Sequence, residues 1–225
     1  MKRSELNQIM RDALAFINEL NFKLPPFVYF TYEEWKTKGE EYSEIIDNIM
    51  GWDITDFGSG DFHKSGLIMI TVRNGSNNEK YPKSYGEKLM ICEDGQITPY
   101  HTHGRKLEDL VNRGGGTLVL KCFKLDTNGT KLKEPFNISI DGKRTLIAPE
   151  ECIRLSPGES ILVEPGVYHS FWAERGKTLV GEVSDYEDYN DDTFFDDFEL
   201  TMDIIEDEPI LYPLFTEYPK LIDYC

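Results

Sequence analysis

Between residues 66 and 184 the chain is a succession of short β-forming runs broken by turn signals, and this patterning limits the fold more than any other feature. The runs are LIMITVRNGS, EKLMICEDGQITPY, GTLVLKCFKLDTNGT, NISIDGKRTLIA, ECIRLSPGESILVEPGVYHSFW and KTLVGEVS. Asp94-Gly95, Asn128-Gly129 and Asp141-Gly142 are hairpin dipeptides, and their recurrence predicts an antiparallel barrel or double-sheet sandwich. A mainly β core over residues 61–185 is expected, and no repeat of fixed period stands out.

The flanks read differently. Residues 4–21 place Leu6, Ile9, Met10, Ala13, Ile17 and Leu20 at helical spacing, with Ser4 as the expected N-cap and the LPP at 24–26 as the stop. A second helical region is predicted over 32–50, broken near Gly39, so residues 1–60 form a helical region outside the β core. Residues 182–208 hold thirteen acidic side chains and no Lys or Arg, which predicts a solvated surface. Phe194, Phe195, Phe198, Ile204 and Ile205 interrupt that run, so residues 186–225 are expected to pack on the body with acidic outer faces. A chain of 225 residues suits one domain of this kind.

The formal net charge of −17 opposes a polyanionic partner, which speaks against nucleic acid and anionic membrane. The N-terminal MKRSELNQIMRDALAFINEL mixes charges throughout and resembles no signal peptide, so a cytoplasmic location is expected. Cys92, Cys122, Cys152 and Cys225 form no C-x-x-C pair and read as reduced thiols packed as small hydrophobes.

Chemistry is concentrated in GQITPYHTHGRKLE. On a strand, His101 and His103 point to the same face, and Glu108 follows after room for a turn. With His169 they make a set of imidazoles and a carboxylate that suits Mn, Fe, Co or Zn. Two hairpin registers add neighbours. A turn at Asp94-Gly95 would pair Lys88 with His101, and a turn at Arg175-Gly176 would pair His169 with Glu182. The triple glycine at 114–116 precedes a strand rather than a helix, which is not the setting of a phosphate-binding loop.

These residues carry a resemblance. Gly95, His101, His103, Glu108 and Gly115 fit the first cupin motif, G-x5-H-x-H-x4-E-x6-G. Gly158, Gly166 and His169 fit the second, although Pro165 sits one place late and Ala173 stands where the family has Asn. The resemblance implies a cupin, a double-stranded β-helix or jelly-roll-like barrel, with metal held by His101, His103, Glu108 and His169. Within that superfamily, HTHGRKLEDLVNRGGGTLVL, YHSFW and GEVSDYEDYNDD resemble the cupin-type D-lyxose isomerases. That likeness implies interconversion of D-lyxose with D-xylulose, and of D-mannose with D-fructose. It also implies one divalent ion per chain, with Mn2+ favoured over Co2+, Zn2+ or Fe2+, a monosaccharide substrate and a homodimer.

Aldose to ketose conversion moves a proton between C2 and C1 through a cis-enediol and needs a base and an electrophile. Glu182 is the candidate base. Lys106 is the candidate for hydrogen-bonding the enediolate oxygen or relaying a proton, with a solvated turn lysine as the competing reading. Lys88, Arg154, Trp172 and Asp191 are candidate sugar contacts. The same four ligands would serve a dioxygenase or other oxidoreductase, which oxygen consumption would reveal, and a non-catalytic sugar-binding cupin would need no base at Glu182.

Overall fold

The computed structural model describes residues 1–77, 79–188, 191–196, 198 and 202–221. Its centre is a ribbon of two long antiparallel strands, β5 (Glu108–Phe123) and β10 (Tyr168–Asp185). Each changes partners along its length. The first half of β10 pairs with β4 (Thr98–His103), and the second half pairs with β3 (Tyr85–Cys92). Likewise β5 pairs with β9 (Ser160–Val163) near its start and with β8 (Ile153–Leu155) near its end. Beyond β3 lie β2 (Leu67–Arg73) and β1 (Gly51–Thr55), and beyond β9 lie β6 (Phe136–Ile140) and β7 (Lys143–Ile147). A three-residue strand, β11 (Asp192–Phe194), completes the edge outside β4. The result is the expected mainly β, jelly-roll-like double layer.

The ribbon folds over where the triple glycine meets Arg175-Gly176. Register between β5 and β10 slips there, between Glu174 and Thr178 and again between Leu179 and Val180. Gly114, Gly115 and Gly176 take φ of +143°, +93° and +119°, and Arg175 is left-handed at +65°. A Cβ on Gly115 would collide with the Lys177 carbonyl and the Phe16 ring. Asn112 clamps the bend, accepting from Gly114 N at 2.9 Å and donating to the carbonyls of Gly116 (3.0 Å) and Leu155 (2.9 Å).

Both expected hairpins are therefore corrected. Arg175-Gly176 is a bulge inside one strand, because β10 pairs with β5 on both sides of it. Asp94-Gly95 does turn, with Gln96 N donating to Glu93 O at 3.1 Å, but it leads the chain into the other sheet. Gly95 N docks on Ala173 O (2.8 Å), and the buried Gln96 side chain donates to Phe62 O (2.6 Å). Lys88 consequently pairs with Glu182 and Thr71, not with His101, and His169 pairs with His101 and Cys122.

The LIMITV run is apolar throughout because both faces of β2 are covered. Leu67 and Met69 face the barrel interior, whereas Ile68, Ile70 and Val72 pack under the N-terminal helix. That helix, α1 (Arg3–Glu19), buries Leu6, Met10, Ala13 and Ile17. Its start is capped differently from the expectation. Ser4 donates from both N and Oγ to Asp207, at 3.0 and 2.6 Å, so the acidic tail supplies the carboxylate at the positive helix end. It also stops before the prolines. Asn21, at φ +56°, donates to Asn18 O while Phe22 N donates to Ile17 O, a Schellman pattern.

The region 32–50 is fragmented into α2 (Tyr32–Trp35), a 3-10 turn (Glu40–Tyr42) and α3 (Ser43–Asp47), and the segment after it opens as strand β1 rather than continuing the helical region. Trp52 of β1 stacks on Tyr212 (centroids 6.0 Å apart), and Tyr218 lies against Trp35 at 4.7 Å, so the described part of residues 202–221 covers the helices. No helix among the described residues is long and apolar enough to cross a membrane. Cys92 and Cys122 are buried thiols and Cys152 is partly buried, while Cys225 lies outside the described residues.

Gly115→Ala forces both backbone strain and a carbonyl clash at the bend. We expect it to cost at least about 1–3 kcal/mol, read as a fall in Tm of about 2–4 °C per kcal/mol in thermal unfolding.

Candidate active site

The bent ribbon carries its two ends to the same mouth of the barrel. His169 sits at the start of β10 and Glu182 near its end, yet both line one pocket with His101, His103, Lys106, Glu108 and Lys88. The lower wall is apolar, from Leu67, Met69, Met90, Leu110 and Phe171. The free space among these side chains is about 40 Å³.

His101 and His103 share a face of β4, as their spacing predicts, and His169 stands directly opposite His101 in register. The ligand atoms of the three imidazoles lie within 4.8 Å of one another. Each ring is held through Nδ1. His101 Nδ1 donates to Pro99 O at 2.9 Å and His169 Nδ1 to Val167 O at 3.3 Å, acceptors that fix the tautomer. His103 Nδ1 donates to Asp192 Oδ1 at 2.6 Å. Every Nε2 is thereby left facing the centre.

Glu108 completes the set from the first residue of β5. Its Oε1 lies 3.0 Å from His169 Nε2 and its Oε2 lies 3.3 Å from His103 Nε2. His103 Nε2, His169 Nε2 and Glu108 Oε1 are nevertheless buried without a hydrogen-bond partner. Buried polar atoms that converge without partners leave a place for a cation. Burial works against charge on His103, but the Glu108 carboxylate and the Asp192 hydrogen bond raise it to about 9. Burial and the neighbouring imidazoles hold His101 well below its usual value. The donor set of three imidazoles and a carboxylate fits a divalent transition metal.

A second cluster adjoins the first. Lys106 Nζ is 3.1 Å from Glu108, from Glu182 and from Glu187, and all four groups are buried. Lys88 ion-pairs with Glu187 and stands 3.8 Å from Glu182, which also accepts from Ser184 Oγ at 3.0 Å. Burial opposes the charged ammonium of Lys106, but the three glutamates hold its pKa well above the usual value. Glu187 is pulled down to about 2 by Lys88 and Lys106 against the opposing effect of burial. Glu108, Glu182, Glu187 and Asp192 thus gather four carboxyl groups around two ammonium groups, an acidic surrounding that suits a cation at the histidines.

Two of the sugar contacts expected from the sequence are displaced. Arg154 and Trp172 lie on the outer face of the sheet, where Arg154 binds Glu174 through two 3.1 Å contacts and Trp172 Nε1 donates to the same carboxylate. Inward positions on this part of β10 are odd-numbered, His169 and Phe171, which turns residue 172 outward. Asp191 is occupied by backbone: its Oδ2 accepts from Arg105 N (2.8 Å) and Lys106 N (3.1 Å). Sequence reasoning missed Glu187 and Asp192 because they sit in the acidic run. The signal for Asp192 was the two-residue step to Phe194, which puts both on the face of β11 that covers His103 and His101.

A family model described as D-lyxose isomerase matches residues 1–218. The D-lyxose/D-mannose isomerase of Serratia proteamaculans is 40% identical, over 99% of this chain and 100% of that protein. The enzyme of the same name from Escherichia coli O157:H7 is 42% identical, over 97% and 98% respectively. Among solved structures, a variant of the L-ribose isomerase of Acinetobacter sp. DL28 in complex with L-ribose superposes with TM-score 0.60 at 15% identity, covering 91% of this chain and 98% of that one. The ligand-free L-ribose isomerase of Cellulomonas parahominis gives 0.61 at 15%, with the same coverage. These structures establish the shared cupin fold. Identity of 40% and 42% across nearly the whole length and a family match over residues 1–218 lead to one conclusion: the chain is a sugar isomerase belonging to the D-lyxose isomerase family.

Proposed function

We propose that this enzyme interconverts D-lyxose and D-xylulose, and D-mannose and D-fructose, by proton transfer through a cis-enediol, with Glu182 as the base. The observation that carries the reading is the position of the Glu182 carboxylate, buried in the pocket of the three histidines and 3.1 Å from Lys106. The names of the relatives from Serratia proteamaculans and Escherichia coli O157:H7 support the choice of sugars.

In this reading His101, His103, Glu108 and His169 hold a divalent ion, Mn2+ before Co2+, Zn2+ or Fe2+. When bound, such an ion supplies Lewis-acid polarisation of the sugar carbonyl and its neighbouring hydroxyl. Glu182 removes the proton from C2 of the open-chain aldose and returns it to C1, while the hydroxyl proton of O2 passes to O1. Lys106 donates to the oxygen on which negative charge develops, and its fixed cationic state keeps that donor available. Lys88 and Glu187 hold Lys106 and Glu182 in one ion-paired group, with Lys88 as the further sugar contact. The apolar wall keeps bulk water from the enediol. The family resemblance adds a homodimer, which light scattering would check.

Two experiments test the reading. D-lyxose incubated in D2O with metal-stripped protein should stay unchanged by NMR, and added Mn2+ should produce D-xylulose carrying deuterium at the exchanged carbon. Unlabelled product would instead favour a direct hydride shift. Glu182→Gln should lower kcat by about 10²–10⁴-fold with metal content preserved, whereas Lys106→Met should lower it by about 10²–10³-fold. A fully active Glu182→Gln enzyme would remove Glu182 from the role of base.

A further inference from the structure

We propose that the adjacent pair Asp191-Asp192 is a splint that positions the two halves of the catalytic machinery separately, Asp192 acting through His103 and Asp191 acting through Lys106. The inference rests on the metal and base roles proposed above and concerns residues bonded to His103 and to the Lys106 backbone.

Position at the strand boundary makes the division. Asp192 is the first residue of β11 and Asp191 immediately precedes it. Asp192, in register with His103, turns toward the histidines, while Asp191 turns toward the loop Gly104–Leu107. The Nδ1 acceptors of His101 and His169 are backbone carbonyls two residues earlier in their own segments, so those rings are oriented locally. His103 alone among the three depends on a side chain from a distant segment, 89 residues on. A carboxylate there fixes the ring and raises the basicity of the opposite nitrogen.

Asp191 does comparable work for the lysine. Its Oδ2 accepts from the amides of both Arg105 and Lys106, its carbonyl accepts from Gly104 N at 3.2 Å, and Arg105 Nε approaches Oδ1 at 3.5 Å. Residue 104 is glycine where a Cβ would stand 2.8 Å from Asp191 Oδ1. The loop is thus folded around this carboxylate, and the backbone it fixes aims Lys106 Nζ at Glu108, Glu182 and Glu187. A shift of about 1 Å in such a donor can cost on the order of 10²-fold in rate.

The test separates the two functions by their readouts on the full-length protein. Mn2+ affinity is measured by chelator competition on metal-stripped samples, and kcat and KM on Mn2+-saturated enzyme. Asp192→Ala should weaken Mn2+ binding by about 10- to 100-fold. Asp192→Asn, which keeps an acceptor and the side-chain shape, should weaken it less, and serves if the alanine variant does not fold. Asp191→Ala should leave the Mn2+ Kd within about twofold while lowering kcat by about tenfold or more. Asp191→Asn, still able to accept from both amides, should restore kcat. Wild-type protein that binds none of Mn2+, Co2+ or Zn2+ would remove the metal reading and this inference together. Tight wild-type binding with unchanged affinity in both Asp192 variants would overturn the inference alone, as would an Asp191→Ala enzyme with wild-type kcat.

Discussion

Burying charge in an apolar barrel is the constraint on which the rest of the structure depends. Lys88, Lys106, Glu108, Glu182 and Glu187 are all buried beside three imidazoles. Each unpaired ion would cost several kcal/mol to desolvate, and attraction repays this only when the partners are close and the remaining lone pairs are satisfied. The pocket meets that demand with contacts near 3.1 Å from Lys106 to three carboxylates and with Ser184 on Glu182. It leaves His103 Nε2, His169 Nε2 and Glu108 Oε1 without a hydrogen-bond partner at the histidine end, and Glu187 Oε1 at the other. Stability and function therefore meet at one place: the three histidines that could hold a metal ion lie where buried polar atoms lack partners.

Much of this was legible in the chain because the relevant signals are local. His101 and His103 share a face for the simple reason that strands repeat every two residues, and the helical face of Leu6, Met10, Ala13 and Ile17 follows from period 3.6. Pairing partners were not local. The Asp94-Gly95 turn has hairpin chemistry, but Gln96 and the Ala173 carbonyl hold it as a corner between sheets. Glu182 and Lys88 still reached the pocket, because inward facing is preserved when the partner strand changes.

The acidic segment illustrates the opposite failure. Composition assigns a run without a cation to solvent, yet three of its carboxylates have specific internal tasks: Glu187 on Lys88 and Lys106, Asp191 on two amides, and Asp192 on a histidine. A fourth, Asp207, caps α1. Their partners lie roughly eighty to two hundred residues away in the sequence. Charge pattern alone carries no record of such separations.

The folded-over ribbon has a consequence for how the enzyme can change. His169 and Glu182 occupy one strand, and their separation in space follows from the bend at Arg175-Gly176 against the glycines of β5. The strand works as a caliper whose jaws are these two side chains and whose screw is the glycine pleat. A change at the pleat, where Asn112 and Phe16 pack, would reset the gap between the jaws without altering either one.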